Sequence, residues 1–160
     1  ARILAAARAT GADVPVCVPR KARIMRGIGE LLSEPLALPP LAALLANPGV
    51  PLATRDVFAR LRLTSQRRAP AGAPANARAA LLAFIAEHGN DLERAAIGLQ
   101  PVIADVLMDL RRLPGCLIAQ MSGSGATCFA LFPSRRAALS AARHLRASRP
   151  NWWVRATVLQ

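Results

Sequence analysis

Apolar positions recur with two different periods along this chain, and the period changes near residue 114. Before that point the spacing is helical. Ala77, Ala80, Leu81, Phe84 and Ile85 make one stripe, with Asn76 placed to cap its start and Gly89 to end it. Leu99, Val102, Ile103, Val106, Leu110 and Leu113 make a second stripe, the clearest in the chain, and predict a further helix. After Pro114-Gly115 the period shortens to that of strands. Cys116–Met121 and Thr127–Phe132 read as strands joined by a Gly/Ser loop, 122–126. Ser134 is placed to cap a last helix with Ala138, Ala141, Ala142 and Leu145 on one face. Trp152, Val154, Ala156 and Val158 then alternate with Trp153, Arg155, Thr157 and Leu159 in a closing strand.

Upstream, Leu41–Ala46 is a continuous apolar run of the kind a buried strand shows, and Asn47-Pro48-Gly49 turns the chain. Thr54 sits as an N-cap would, with Asp56 in the first turn of a helix reaching to about Leu63. Asn90 followed by Glu93 has the form of a capping box. Residues 64–75, rich in Arg, Pro, Gly and Ala, read as a loop. Residues 1–10 read as the end of a helix, stopped at Gly11. Gly27 and Gly29 inside the run 22–32 predict a bent strand or bulge. The Pro-rich stretch 36–40 is the expected domain boundary. From residue 41 the order is strand, helices, strand–loop–strand, helix, strand. It predicts an α+β fold: a small antiparallel sheet with helices packed on one face.

Composition narrows the class. A chain of 160 residues that is 53% hydrophobic buries enough surface to fold, which excludes a disordered segment. Its longest apolar stretch, 36–46, is about half of the ~20 residues a membrane span needs and is interrupted by Pro39 and Pro40. Ala5–Ala7 is too short for a secretory leader, so a cytoplasmic protein is expected. The chain opens at Ala1 in what reads as mid-helix, as a fragment or processed product would. The net charge is +12, but every basic residue except Lys21 is arginine, and the arginines are scattered. There is no tyrosine and aromatic residues make up 4%, which leaves little for a base-stacking platform. Nucleic acid is therefore not expected as the main partner. Cys17, Cys116 and Cys128 are an odd, widely spaced set and read as buried free thiols. With only His88 and His144 beside them, no metal-ligand spacing arises.

Two segments can carry chemistry. In Met121-Ser122-Gly123-Ser124-Gly125-Ala126-Thr127, small residues let a backbone turn tightly and aim N–H groups into one concavity, which suits an anion. It lacks the GK[ST] ending of a P-loop, and a strand follows it where a helix should. A plain tight hairpin between buried strands is the other reading of the same residues. The second segment is Gly11-Ala12-Asp13-Val14-Pro15-Val16. A lone carboxylate among small and apolar neighbours suits a functional acid or base, and equally a turn at a helix end.

Five stretches taken in order make the chain resemble the C-terminal half of a GHMP-superfamily small-molecule kinase. They are Gly11–Cys17, Gly27-Ile28-Gly29-Glu30, Asn47-Pro48-Gly49-Val50 with Thr54, Gly89-Asn90-Asp91-Leu92-Glu93, and Met121–Phe129. Within that superfamily the likeness is to members acting on a cytidine-diphosphate methylerythritol in non-mevalonate isoprenoid synthesis. The resemblance implies a ferredoxin-like C-terminal domain over residues 36–160. Residues 1–35, with the Asp13 motif, would be the remnant of an N-terminal domain. It implies phosphoryl transfer from ATP, with Mg²⁺, to a substrate hydroxyl. Asp13 would be the catalytic carboxylate, and Gly123, Ser124 and Gly125 would lie by the nucleotide phosphates. Thr54 would contact the small-molecule substrate, although Arg55 stands where some members have proline. The glycine-rich phosphate loop and the active-site lysine of the family have no counterpart here, so the isolated chain is expected to be inactive. Its surface over residues 1–35 is expected to favour self-association. The alternatives are a homoserine- or mevalonate-type kinase, or a non-enzymatic basic α+β binding module.

Overall fold

A computed structural model describes residues 6, 9–10, 21–27, 31–61 and 77–159. The chain divides into two compact units, one of residues 1–39 with 68–81 and 160, the other of residues 40–67 with 82–159. In the first unit, Met25–Arg26 (β1) and Leu31–Leu32 (β2) pair antiparallel, with Met25 opposite Leu32 and Arg26 opposite Leu31. The bent strand expected over 22–32 is thus a hairpin of two rungs. Gly27 leaves β1 at φ +67°, a conformation that glycine adopts without steric cost. The Ser33 hydroxyl accepts from the Ile24 N–H at 2.9 Å and extends the hairpin by a side-chain rung.

The second unit is built on four strands: β3 (Leu41–Asn47), β4 (Ile118–Met121), β5 (Cys128–Phe132) and β6 (Trp153–Leu159). Their spatial order is β4-β5-β3-β6, and every neighbouring pair is antiparallel. With helices crossing between β3 and β4 and between β5 and β6, this is the split βαβ arrangement of a ferredoxin-like fold. Register explains which residues are buried. Ala42, Leu44 and Ala46 of β3 stand opposite Phe132, Ala130 and Cys128 of β5, and this face forms the core with Ala119, Met121 and Val154.

Two helices cover that face. In α4 (Val102–Arg112), Ile103, Val106, Leu107 and Leu110 are buried. In α5 (Arg135–Ser148), Ala138, Ala141, Ala142 and Leu145 are buried, and Ser134 caps the helix by accepting the Ala137 N–H at 3.2 Å. The small alanine side chains let α5 lie close to the sheet. The stripe expected to begin at Leu99 is divided between two helices. Leu99 ends α3 (Glu93–Leu99), the chain breaks at Gln100-Pro101, and α4 begins afresh. Proline cannot supply the N–H that a continuous helix would need there; Val102 is only half-buried, and Leu107, outside the expected stripe, is buried.

The remaining helices are α1 (Thr54–Arg60) and α2 (Arg78–His88). Gly89 follows α2 at φ +59°, as the expected helix stop requires. On the sheet face opposite the core, Ala43 and Leu131 are buried too, and the Gln120 amide donates to the Ile85 carbonyl of α2 at 2.8 Å. No helix among the described residues is long and apolar enough to cross a membrane. The expectations for 1–5, 11–20, 28–30 and 62–76, among them Asp13, Cys17, Asn76 and the Arg/Pro-rich loop, lie outside the described residues.

Candidate functional site

The Gly/Ser loop connects two strands, as its flanking periods predicted. Ser122 N donates to Thr127 O at 2.9 Å and closes the last rung of the β4–β5 ladder. Gly125 N donates to Ser122 O at 3.0 Å and closes the turn inside it. Gly123 and Gly125 stand at φ +55° and +88°, a region L side chains enter only at a cost. The two glycines differ in surroundings. A Cβ on Gly123 would meet nothing within 4 Å, whereas one on Gly125 would lie 2.8 Å from Met121 Sδ and 3.2 Å from Leu52 Cδ2. Gly125 is therefore a glycine on packing grounds, and its amide is spent within the loop. No acceptor among the described residues takes the Gly123 or Ser124 N–H. Those two donors belong to an exposed Gly123 and a half-buried Ser124 in the loop, where an anion can be met by backbone amides.

Four side chains from elsewhere in the fold hold this loop and its departure from β4. Asn47, at the end of β3, donates from Nδ2 to Thr127 Oγ1 at 2.8 Å, while its Oδ1 accepts the Gly49 N–H at 2.8 Å and forms the turn there. Asn90 donates from Nδ2 to Met121 O at 2.9 Å and to Gly123 O at 2.8 Å, and its Oδ1 accepts the Leu92 N–H. Glu93 Oε2 accepts the Met121 N–H at 3.2 Å, and its Oε1 lies 3.7 Å from Arg111 Nη2. Thr54 Oγ1 and Ser124 Oγ share a hydrogen bond of 2.9 Å.

Two local expectations give way to these long-range bonds. Thr54 does not cap α1: the cap is Ala53, whose carbonyl accepts the Asp56 and Val57 N–H groups, and Thr54 instead reaches the loop. Asn90 and Glu93 do not form a capping box. The residue before α3 is Leu92, already helical and without a side-chain cap; Glu93 turns to Met121 beside the loop, and Asn90 sends Nδ2 to the loop while its Oδ1 keeps the Leu92 N–H. Among the sequence candidates, Thr54, Gly123, Ser124 and Gly125 are thus brought together. Asp13 lies outside the described residues. Asn47, Asn90 and Glu93 were not read as site residues, although Asn47, Asn90 and Glu93 all belong to motifs that stood out.

Burial sets the local electrostatics. The Cys128 thiol, fully enclosed beneath the loop, is pushed up to about 12, first by desolvation and then by the negative charge of Glu93, with Arg111 opposing. Burial also raises Cys116, against a hydrogen bond to the Ile118 carbonyl and the charge of Arg111. Neither thiol is poised as a nucleophile, since the thiolate is the reactive form. Among the described residues no group of three or more His, Cys, Asp or Glu side chains is placed to hold a metal ion.

Comparison with known proteins identifies the family and the fold. Residues 72–151 match the family described as GHMP kinases C terminal. A 4-diphosphocytidyl-2-C-methyl-D-erythritol kinase from Methylobacterium radiotolerans is 52% identical, over 100% of this chain and 57% of its own length. The protein of the same name from Xanthobacter autotrophicus is 48% identical, over 99% of this chain and 57% of its own. A crystal structure of 4-(cytidine 5'-diphospho)-2C-methyl-D-erythritol kinase superposes with a TM-score of 0.74 at 32% identity, covering 99% of this chain and 57% of that one. A homoserine kinase from Cytophaga hutchinsonii shares the fold, with a TM-score of 0.60 at 22% identity, covering 93% of this chain and 51% of that one. The chain spans a little over half the length of the curated relatives it matches.

Proposed function

Since the chain belongs to the GHMP kinase C-terminal family, we propose that it is the C-terminal part of an ATP-dependent kinase that phosphorylates a hydroxyl of 4-diphosphocytidyl-2-C-methyl-D-erythritol. The observation that carries this reading is the 52% identity, across the whole chain, to a kinase named for that substrate. The homoserine kinase shares the fold at an identity too low to transfer a substrate.

Phosphoryl transfer asks little covalent work of a protein and depends on positioning and charge stabilisation. In this reading the substrate hydroxyl oxygen attacks the γ-phosphorus as the bond from that phosphorus to the β–γ bridging oxygen breaks. ADP leaves, and the hydroxyl proton passes to the Asp13 carboxylate. The free N–H groups of Gly123 and Ser124 support the nucleotide phosphates, and Gly125 shapes the turn that presents them. Thr54, tied to Ser124, stands between that loop and the alcohol substrate. Mg²⁺ accompanies ATP in such a reaction. The described residues offer no cluster to bind it, so no ligand is assigned among them.

The deciding experiment uses the full-length protein that carries this segment. It is given ATP with the cytidine-diphosphate methylerythritol, homoserine or mevalonate in turn, and ADP release is followed together with ³¹P NMR of the product. Selective phosphorylation of the first alcohol is expected. A preference for either of the others would overturn the substrate assignment.

A further inference from the structure

Met121 is the last residue of β4, and β4 lies at the edge of the sheet. Met121 stands opposite Cys128, and the next rung outward, Ser122 to Thr127, is hydrogen-bonded. Bonded and non-bonded rungs alternate in an antiparallel ladder, so the N–H and C=O of Met121 both point out of the sheet. An unpaired backbone pair at that place needs a partner. The structure supplies one from each of two side chains: Glu93 Oε2 accepts the N–H, and Asn90 Nδ2 donates to the C=O. The same amide group continues to Gly123 O, two residues into the loop.

We propose that Asn90 and Glu93 are positioning residues for the phosphate-supporting loop, acting as a substitute strand that fixes Met121, from which the loop departs, and the Gly123 carbonyl within it. This rests on the proposed kinase function, in which the Gly123 and Ser124 amides meet nucleotide. The bonds divide the labour. Glu93, anchored by Arg111, sets where the loop departs from the sheet. Asn90 spans departure and tip, so the Gly123 carbonyl is turned toward Nδ2. The peptide that follows, which carries the Ser124 N–H, is fixed by the same rotation. The Asn90 amide is itself held through Leu92 N to Oδ1, which leaves Nδ2 directed at the loop. Neither residue needs to touch ligand.

The test is made in the full-length enzyme, with Asn90→Ala, Glu93→Ala and Glu93→Gln. Glutamine retains an oxygen acceptor for the Met121 N–H, so it should behave nearly as wild type. Asn90→Ala and Glu93→Ala should raise the nucleotide KM by about tenfold or more and leave the KM of the alcohol within about twofold. Loss of folded protein alone would lower apparent kcat and leave both KM values where they were, and that result would overturn the proposal. Hydrogen exchange of the peptide covering 121–127 provides a readout that needs no activity. Faster exchange there in Asn90→Ala, with the α5 peptide unchanged, supports the anchoring role, and unchanged exchange refutes it. If the wild type transfers no phosphate from ATP, the kinase reading fails while the exchange result still decides whether these side chains position the loop.

Discussion

Gly125→Ala separates two costs that usually arrive together. The backbone at Gly125 has φ +88°, and the methyl group would lie 2.8 Å from Met121 Sδ, 3.2 Å from Leu52 Cδ2 and 3.5 Å from Ile103 Cδ1. Left-handed backbone costs an L residue about 1–2 kcal/mol. Overpacking by a methyl group adds about 1–3 kcal/mol where the surroundings cannot give way. Met121 is 2% exposed and Ile103 0%, so neither can swing into solvent. The loss expected for Gly125→Ala is therefore about 2–5 kcal/mol. Gly123→Ala is the internal control: its φ is +55° and its Cβ would meet nothing, so only the backbone cost of about 1–2 kcal/mol applies. Urea unfolding followed by tryptophan fluorescence reads the right part of the molecule, because Trp152 and Trp153 are the only tryptophans and both lie in the second unit. The midpoint should fall further for Gly125→Ala than for Gly123→Ala at an unchanged slope. In a Met121→Ala background the Gly125→Ala penalty should shrink toward the backbone cost alone, since the sulfur it meets is gone. Equal losses at the two glycines, or no shrinkage, would refute the packing account.

Three further outcomes are expected. The Cys128 thiol is raised from 9.0 to about 12, so between those values the unfolded chain loses a proton that the folded chain keeps. Stability should then fall as pH rises through that window, by up to about 1.4 kcal/mol per pH unit. With no tyrosine and one lysine to compete, Cys128→Ala should reduce the slope in a pH series of urea midpoints, leaving the smaller part that Cys116, raised in the same direction, contributes. In the full-length protein, Thr54→Val removes a hydroxyl from an exposed bond to Ser124, so stability should change by no more than about 1 kcal/mol. The alcohol KM should rise in separate substrate titrations. On the proposed function, Asp13→Asn keeps the shape and removes the carboxylate charge, and should lower kcat by at least about 10²-fold with ATP affinity unchanged; wild-type kcat would make Asp13 a turn residue.

The sheet was legible because its strands carry their own evidence. The alternation 152–159 and the apolar runs around the Gly/Ser loop placed β4, β5 and β6 within a residue or two, and Leu41–Ala46 placed β3. The helical stripe starting at Leu99 misled because a period describes side-chain spacing and not chain continuity. Leu99 and Leu113 are in phase, yet Pro101 separates them into different elements. The bulge expected at Gly27 became a hairpin for a related reason. Glycine permits a reversal as readily as a bend, and which occurs is settled by the partner that Leu31–Leu32 supplies.

The polar residues of the site were harder to read, because one spacing serves two purposes. A hydroxyl or amide just before a helix satisfies its first N–H groups when nothing else competes, and the sequence contains no measure of what competes. At Thr54 and at Asn90–Glu93 the competitor is a strand edge and a loop 28 to 70 residues away in the chain. The Ala53 and Asn90 backbone carbonyls take helix-start N–H groups, as with Asp56 N at 3.0 Å and Glu93 N at 3.1 Å, which frees the Thr54 hydroxyl, while the Asn90 amide serves both ends, its Oδ1 taking the Leu92 N–H and its Nδ2 the loop. The demand that captures them follows from sheet order. Only once β4 is known to be an edge strand does Met121 have an outward N–H and C=O to satisfy, and only then do an amide and a carboxylate three residues apart become the natural pair to meet them. A cap motif beside a Gly/Ser loop is thus ambiguous in sequence, and strand order decides whether its side chains serve the helix start, the loop or, as Asn90 does, both.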